Sequence, residues 1–77
     1  GIWLIGLDEH SSSSLYNTDL TSPIAIVIGS EEKGLRQLTR KKCDQVVSIP
    51  TSGLLKSLNA GVASGVALFE VNRQRTI

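Results

Sequence analysis

Three apolar runs punctuate the chain. Ile2-Trp3-Leu4-Ile5 is closed by Gly6, Ile24-Ala25-Ile26-Val27-Ile28 lies between Pro23 and Gly29, and Gln45-Val46-Val47-Ser48-Ile49 ends at Pro50. The first two show no alternation, which predicts strands covered on both faces, as in a parallel sheet. Leu35 and Leu38 sit three apart and predict a short helix whose opposite face carries Arg36 and Arg40. From about Ser57 to Arg73 the period is again helical, with Leu58, Val62, Val66 and Phe69 along one stripe and Ser57 as the N-cap. Asp8-Glu9-His10 and Ser11 to Ser14 read as a polar turn in which the four serines form a flexible linker, or else Ser14 to Leu20 forms one or two helical turns, stopped before Pro23. The order strand–helix–strand–helix–strand–helix implies an α/β parallel sheet with right-handed crossovers.

The last helix is unusual in being thin. Ala60, Gly61, Ala63, Ser64, Gly65 and Ala67 fill its first half, and each interior glycine costs about 1 kcal/mol relative to alanine. Close approach of another backbone, or of a partner chain, would offset that cost. The polar tail Asn72-Arg73-Gln74-Arg75 is expected to fray, and Asp44 and Glu70 read as surface charges.

Composition narrows the class. Seventy-seven residues allow one small domain. With 40% hydrophobic and 19% charged residues the chain is not disordered, and with 4% aromatics its core is aliphatic. The single cysteine, Cys43, excludes an internal disulfide and a zinc cluster and suits a reducing, cytoplasmic setting. No run approaches the roughly 20 apolar residues of a membrane span. The start lacks a signal-peptide pattern; an apolar strand at the first residues, without Met, is expected of a piece of a longer chain. Net charge is only +1, yet Lys33, Arg36, Arg40, Lys41 and Lys42 fall within a stretch free of acids. That cluster is either a solvated helix face or a patch that meets phosphates.

The chemistry-bearing stretches are the two loops after the second and third strands. Gly29 and Gly34 share the opening spacing of a phosphate-binding loop, but Leu35-Arg36 stands where Lys-Ser/Thr is required, and Glu31 and Glu32 would repel a triphosphate. No dinucleotide fingerprint is present. A loop with two carboxylates suits a ligand bearing positive charge or hydroxyl and amine donors, and S-adenosyl-L-methionine is one. His10 is the only histidine, so Ser-His-Asp catalysis is unsupported. Cys43 follows a basic helix end that would lower its pKa, although a lone half-buried cysteine is more often inert.

Ile26-Val27-Ile28-Gly29-Ser30-Glu31-Glu32-Lys33-Gly34-Leu35 resembles the second motif of the SpoU (TrmH) family of RNA ribose 2′-O-methyltransferases, in the SPOUT superfamily. Ser48-Ile49-Pro50, followed by Ser57-Leu58-Asn59-Ala60-Gly61-Val62-Ala63, resembles the third. Cys43-Asp44, Phe69-Glu70 and Arg73-Gln74-Arg75 are similar to the bacterial 23S rRNA guanosine-2′-O-methyltransferase branch. The resemblance implies a parallel-sheet SPOUT-type fold with trefoil-knotted cofactor loops, and a dimer whose site draws on both subunits. It implies that Gly29, Ile49 and Leu58 line S-adenosyl-L-methionine, with Gly34 and Pro50 supporting the pocket. Glu31, Ser57 and Asn59 match positions at the catalytic face. On the phosphate-facing reading of the basic cluster, Arg36, Arg40 and Lys41 are the residues expected to meet RNA. No metal is implied.

The sequence departs from the family in two places. The earlier motif, with the arginine held to activate the hydroxyl, is absent, so residues 1–77 are expected to be the C-terminal part of one catalytic domain and inactive alone. Thr51 and Leu54-Leu55-Lys56 stand where relatives often carry Met and smaller residues. The rival reading is a non-enzymatic module that dimerises or binds RNA.

Overall fold

The computed structural model describes residues 1–29, 35–51 and 59–76. Its centre is a three-stranded parallel sheet in the order β2-β1-β3. Strand β1 spans Trp3–Leu7, β2 Ile24–Ile28 and β3 Gln45–Val47. Gly6 therefore lies inside β1 rather than closing it. Its place there is explained by packing: a Cβ would stand 2.6 Å from Leu35 Cδ1 and 2.9 Å from Cys43 Sγ. Those two residues flank helix α1 (Gln37–Lys42) and seat it on one face of the sheet.

On the other face Ile5, Leu7 and Val47 pack with Leu15, Leu20 and Ala67 as the buried core. Leu15 belongs to a 3-10 turn, Leu15–Asn17, capped by Ser14, whose side chain accepts from the Tyr16 N–H. The helical-turn reading of this stretch holds, and the linker reading does not. Ser11 Oγ donates to Val46 O at 2.7 Å, and the Ser48 N–H donates to Ser13 O at 2.7 Å. The serines thus cover the outer edge of β3, where Ser14 and Ser48 form a bridge in place of a continued strand.

Helix α2 runs Ala60–Arg75, starting later than the sequence pattern predicts, and Asn59 is its N-cap, with Oδ1 accepting from the Val62 N–H at 2.8 Å. Ser57, predicted as the cap, and Leu58 fall outside the described residues. The predicted stripe is also displaced: Val62 is 48% and Phe69 77% exposed. The helix instead lays Ala63, Ala67 and Val71 on the core, a face of small side chains that brings its axis close to the sheet. At its far end the predicted fraying gives way to a clasp. Gln74 Oε1 accepts from the Leu20 N–H at 2.7 Å, and its amide donates to Thr18 O at 2.9 Å. Arg75 donates to Leu20 O and Ser22 O at 3.1 and 2.6 Å.

Glu70 is not a surface charge. It is 6% exposed and accepts from Arg73 Nε and Nη2 at 2.7 and 2.8 Å and from Gln74 Nε2 at 2.9 Å. These bonds, Arg73 first and Gln74 second, hold its carboxyl down at about 2. Asp44 is exposed as expected, but its carboxylate accepts from the Leu4 N–H at 2.7 Å. Among the described helices, none is long and apolar enough to cross a membrane.

Candidate functional site

Parallel register places the candidate residues. Leu7 pairs with Ile28 on one side and Val47 on the other, so the next residues, Gly29, Asp8 and Ser48, stand abreast at the carboxyl edge. That edge is where open parallel sheets build ligand sites. With strands about 4.8 Å apart, the exits of β2 and β3 lie roughly 10 Å from one another across β1.

Gly29 is half-buried at the end of β2. Ile49 is half-buried against the core and offers an apolar wall, while Pro50 beside it is exposed. Asn59 is exposed, with Oδ1 committed to capping α2. Glu31, Gly34, Ser57 and Leu58 lie outside the described residues. The described members therefore share one edge of the sheet and the start of α2. They suit an apolar, hydrogen-bonding ligand in kind: backbone beside a glycine, an aliphatic wall and an amide.

The basic cluster divides. Arg36 precedes α1 in an extended conformation without a side-chain cap, and it and Lys41 are exposed. Arg40 is different: its Nη1 donates to Asp8 Oδ2. Asp8 is 6% exposed, and its Oδ1 accepts from the His10 N–H at 2.9 Å. The sequence pattern assigned Asp8 to a polar turn, and no periodicity marks it as buried. Its signal was positional, since it directly follows the central strand.

The expected lowering of the Cys43 pKa is reversed. Burial, followed by the neighbouring Asp44 carboxylate, pushes its thiol up against the opposing pull of Arg40. Among the described residues no cluster of His, Cys, Asp and Glu is suited to a metal ion. An apolar groove of about 510 Å³ runs along β2 and α2, lined by Ile24, Ile26, Ile28, Leu68 and Val71 among others, and includes none of the candidate residues.

Comparison with known proteins gives concordant matches. A family model described as the SpoU rRNA Methylase family matches residues 1–69. The 23S rRNA (guanosine-2′-O-)-methyltransferase RlmB of Ralstonia nicotianae is 51% identical over 77 residues, covering 100% of this chain and 31% of that protein. The RlmB of Haemophilus influenzae is 49% identical over 74 residues, covering 96% and 30%. The crystal structure of the SpoU methyltransferase AviRb from Streptomyces viridochromogenes, in complex with the cofactor AdoMet, superposes with a TM-score of 0.91 at 42% identity, over 99% of this chain and 30% of AviRb. The chain thus spans about 30% of the length of these relatives.

Proposed function

The chain belongs to the SpoU rRNA methylase family, and from that premise we propose that it is the cofactor-binding, C-terminal part of an S-adenosyl-L-methionine-dependent RNA ribose 2′-O-methyltransferase. The observation that supports the reading is the match of residues 1–69 to the family model, in a chain that is 51% identical to an RlmB and whose β2 and β3 exit at the same carboxyl edge of the sheet, next to Gly29 and Ile49. The substrate class favoured by that identity is ribosomal RNA.

The cofactor supplies an electrophilic methyl group on a sulfonium. What this chain contributes is placement, which in a group transfer provides much of the rate. Gly29 permits backbone to approach the ligand, Ile49 excludes water from one side, and Pro50 stiffens the exit of β3. Asn59 is fixed by its own capping bond, so its amide hydrogens hold a defined direction toward a substrate oxygen. Gly34 and Leu58 complete the proposed cofactor set, and Glu31 and Ser57 the proposed catalytic set with Asn59. Arg36, Arg40 and Lys41 are the proposed RNA side; all three are exposed, and Arg40 is also paired with Asp8.

The proposed assembly is a cytoplasmic homodimer. Its support is the outward ridge of α2, where Val62 and Phe69 are 48% and 77% exposed. A Cβ on Gly65 would meet nothing within 4 Å, so no contact within the described chain requires that glycine.

A chimaera tests the function. These residues replace their counterpart in the Ralstonia RlmB, and transfer of labelled methyl to 23S rRNA is followed, with the modified nucleoside identified by nuclease digestion. The expected product is a 2′-O-methylated guanosine. A folded chimaera that binds the cofactor yet transfers nothing would favour the non-enzymatic RNA-binding module.

A further inference from the structure

We propose that Asp8 is a positioning residue for RNA binding: by holding Arg40 it sets the orientation of α1, so an acidic side chain supports affinity for a polyanion. The inference rests on the RNA reading above and concerns described residues only.

Helix α1 has six residues, no buried residue and no side-chain cap, far below the length at which a helix persists unaided. Its placement must come from contacts with the sheet. Leu35 and Cys43 hold its two ends over Gly6, and just beyond it Asp44 exchanges hydrogen bonds with Leu4 of β1, so the flanks are anchored outside the helix itself. Arg40 supplies a bond from within the helix, to Asp8. Asp8 is a rigid post for that purpose. It continues the central strand, its N–H donates to Val47 O at 2.9 Å, and its other carboxylate oxygen is held by the His10 N–H. A guanidinium paired with a buried carboxylate is oriented as well as attracted.

The pairing also divides labour within the basic cluster. The Asp8 charge offsets that of Arg40, so Arg40 adds little to the field that attracts phosphates. Arg36, Lys41 and Lys42, exposed like Arg40 but without its bond to Asp8, carry that field. Plain electrostatics then makes the opposite forecast from ours, since removing Asp8's charge from a chain of net charge +1 should tighten RNA binding.

The test uses this chain, a fluorescein-labelled RNA hairpin as probe, and anisotropy across a salt series. Asp8→Asn is expected to weaken binding by roughly 3- to 10-fold, in the lower part of the coupling range for contacting residues, with the salt slope unchanged. Arg40→Gln should match it, and the double variant should be no worse than either single one. Lys41→Gln should instead lower the slope by about 0.7–0.9, the loss of one phosphate contact. Hydrogen exchange reports independently of RNA: in Asp8→Asn the Arg40 and Cys43 amides should exchange faster while those of β1 keep their protection. Unchanged or tighter binding by Asp8→Asn overturns the inference, as does a reduced slope for Arg40→Gln, which would make Arg40 a direct phosphate contact. If the unaltered chain has no affinity for RNA, the RNA reading itself fails.

Discussion

Gln74 Oε1 accepts the Leu20 N–H at 2.7 Å across 54 residues of chain. With the return bond from its amide to Thr18 O, this side chain replaces a missing strand partner for the segment entering β2. Gln74→Ala would leave both backbone groups unpaired in a part-buried setting and is expected to lower stability by about 1–3 kcal/mol. Phe69→Ala, although it removes a far larger side chain, should change the monomer by less than about 0.5 kcal/mol because that ring is 77% exposed. Chemical denaturation of the two variants provides the comparison.

The Glu70 carboxyl gives the fold an acid limb. Its folded pKa of about 2 lies below the ordinary 4.5 because Arg73 and then Gln74 bond the charged form. A depressed carboxyl stabilises the fold above its unfolded pKa. That contribution is lost as pH falls from about 4.5 toward 2. Stability measured across this window should decline in the native chain, and Glu70→Gln should flatten the decline. An unaltered acid limb in the variant would show that other carboxyls carry it.

Two glycines should respond in opposite ways to alanine. At Gly6 the added methyl falls within 3 Å of Leu35 Cδ1 and Cys43 Sγ, and overpacking of this kind costs about 1–3 kcal/mol. At Gly65, inside α2 with no neighbour within 4 Å, alanine should stabilise the monomer by roughly 0.5–1 kcal/mol. If the ridge of α2 is a dimer face, Phe69→Glu should give monomers in sedimentation velocity where the unaltered chain gives dimers.

Asn59 separates capping from chemistry. Asp caps a helix about as well as Asn, so Asn59→Asp should retain the melting temperature. It replaces the amide donors by an acceptor, however, and in the chimaera turnover should fall at least about 10-fold. Asn59→Ala should add a stability loss of about 1 kcal/mol from the cap. Full turnover in both variants would remove Asn59 from the proposed site.

The three strands were legible in the sequence because apolar, largely β-branched runs leave few alternatives, although β1 runs through Gly6 rather than ending at it. Helix α2 was legible in kind but not in orientation. Periodicity favours the stripe with the largest apolar side chains, through Val62 and Phe69, whereas the fold buries the smaller stripe through Ala63 and Ala67 and satisfies Glu70 and Gln74 by bonds to residues far away in sequence. Asp8 was missed for a related reason. A carboxylate looks solvated until its partner is known, and Arg40 lies 32 residues further on. The serines at 11–14 looked like a linker, yet three of them bond to β3 or cap the following turn.

The central claim is that the carboxyl edge formed by β2, β3 and the start of α2 holds S-adenosyl-L-methionine. Isothermal titration of this chain with that cofactor tests it most directly, with Gly29→Val as the paired variant. The account predicts saturable binding at one site per chain, lost or strongly weakened by a side chain at Gly29. Absence of binding at the highest attainable cofactor concentration, by a chain shown to be folded, would contradict it.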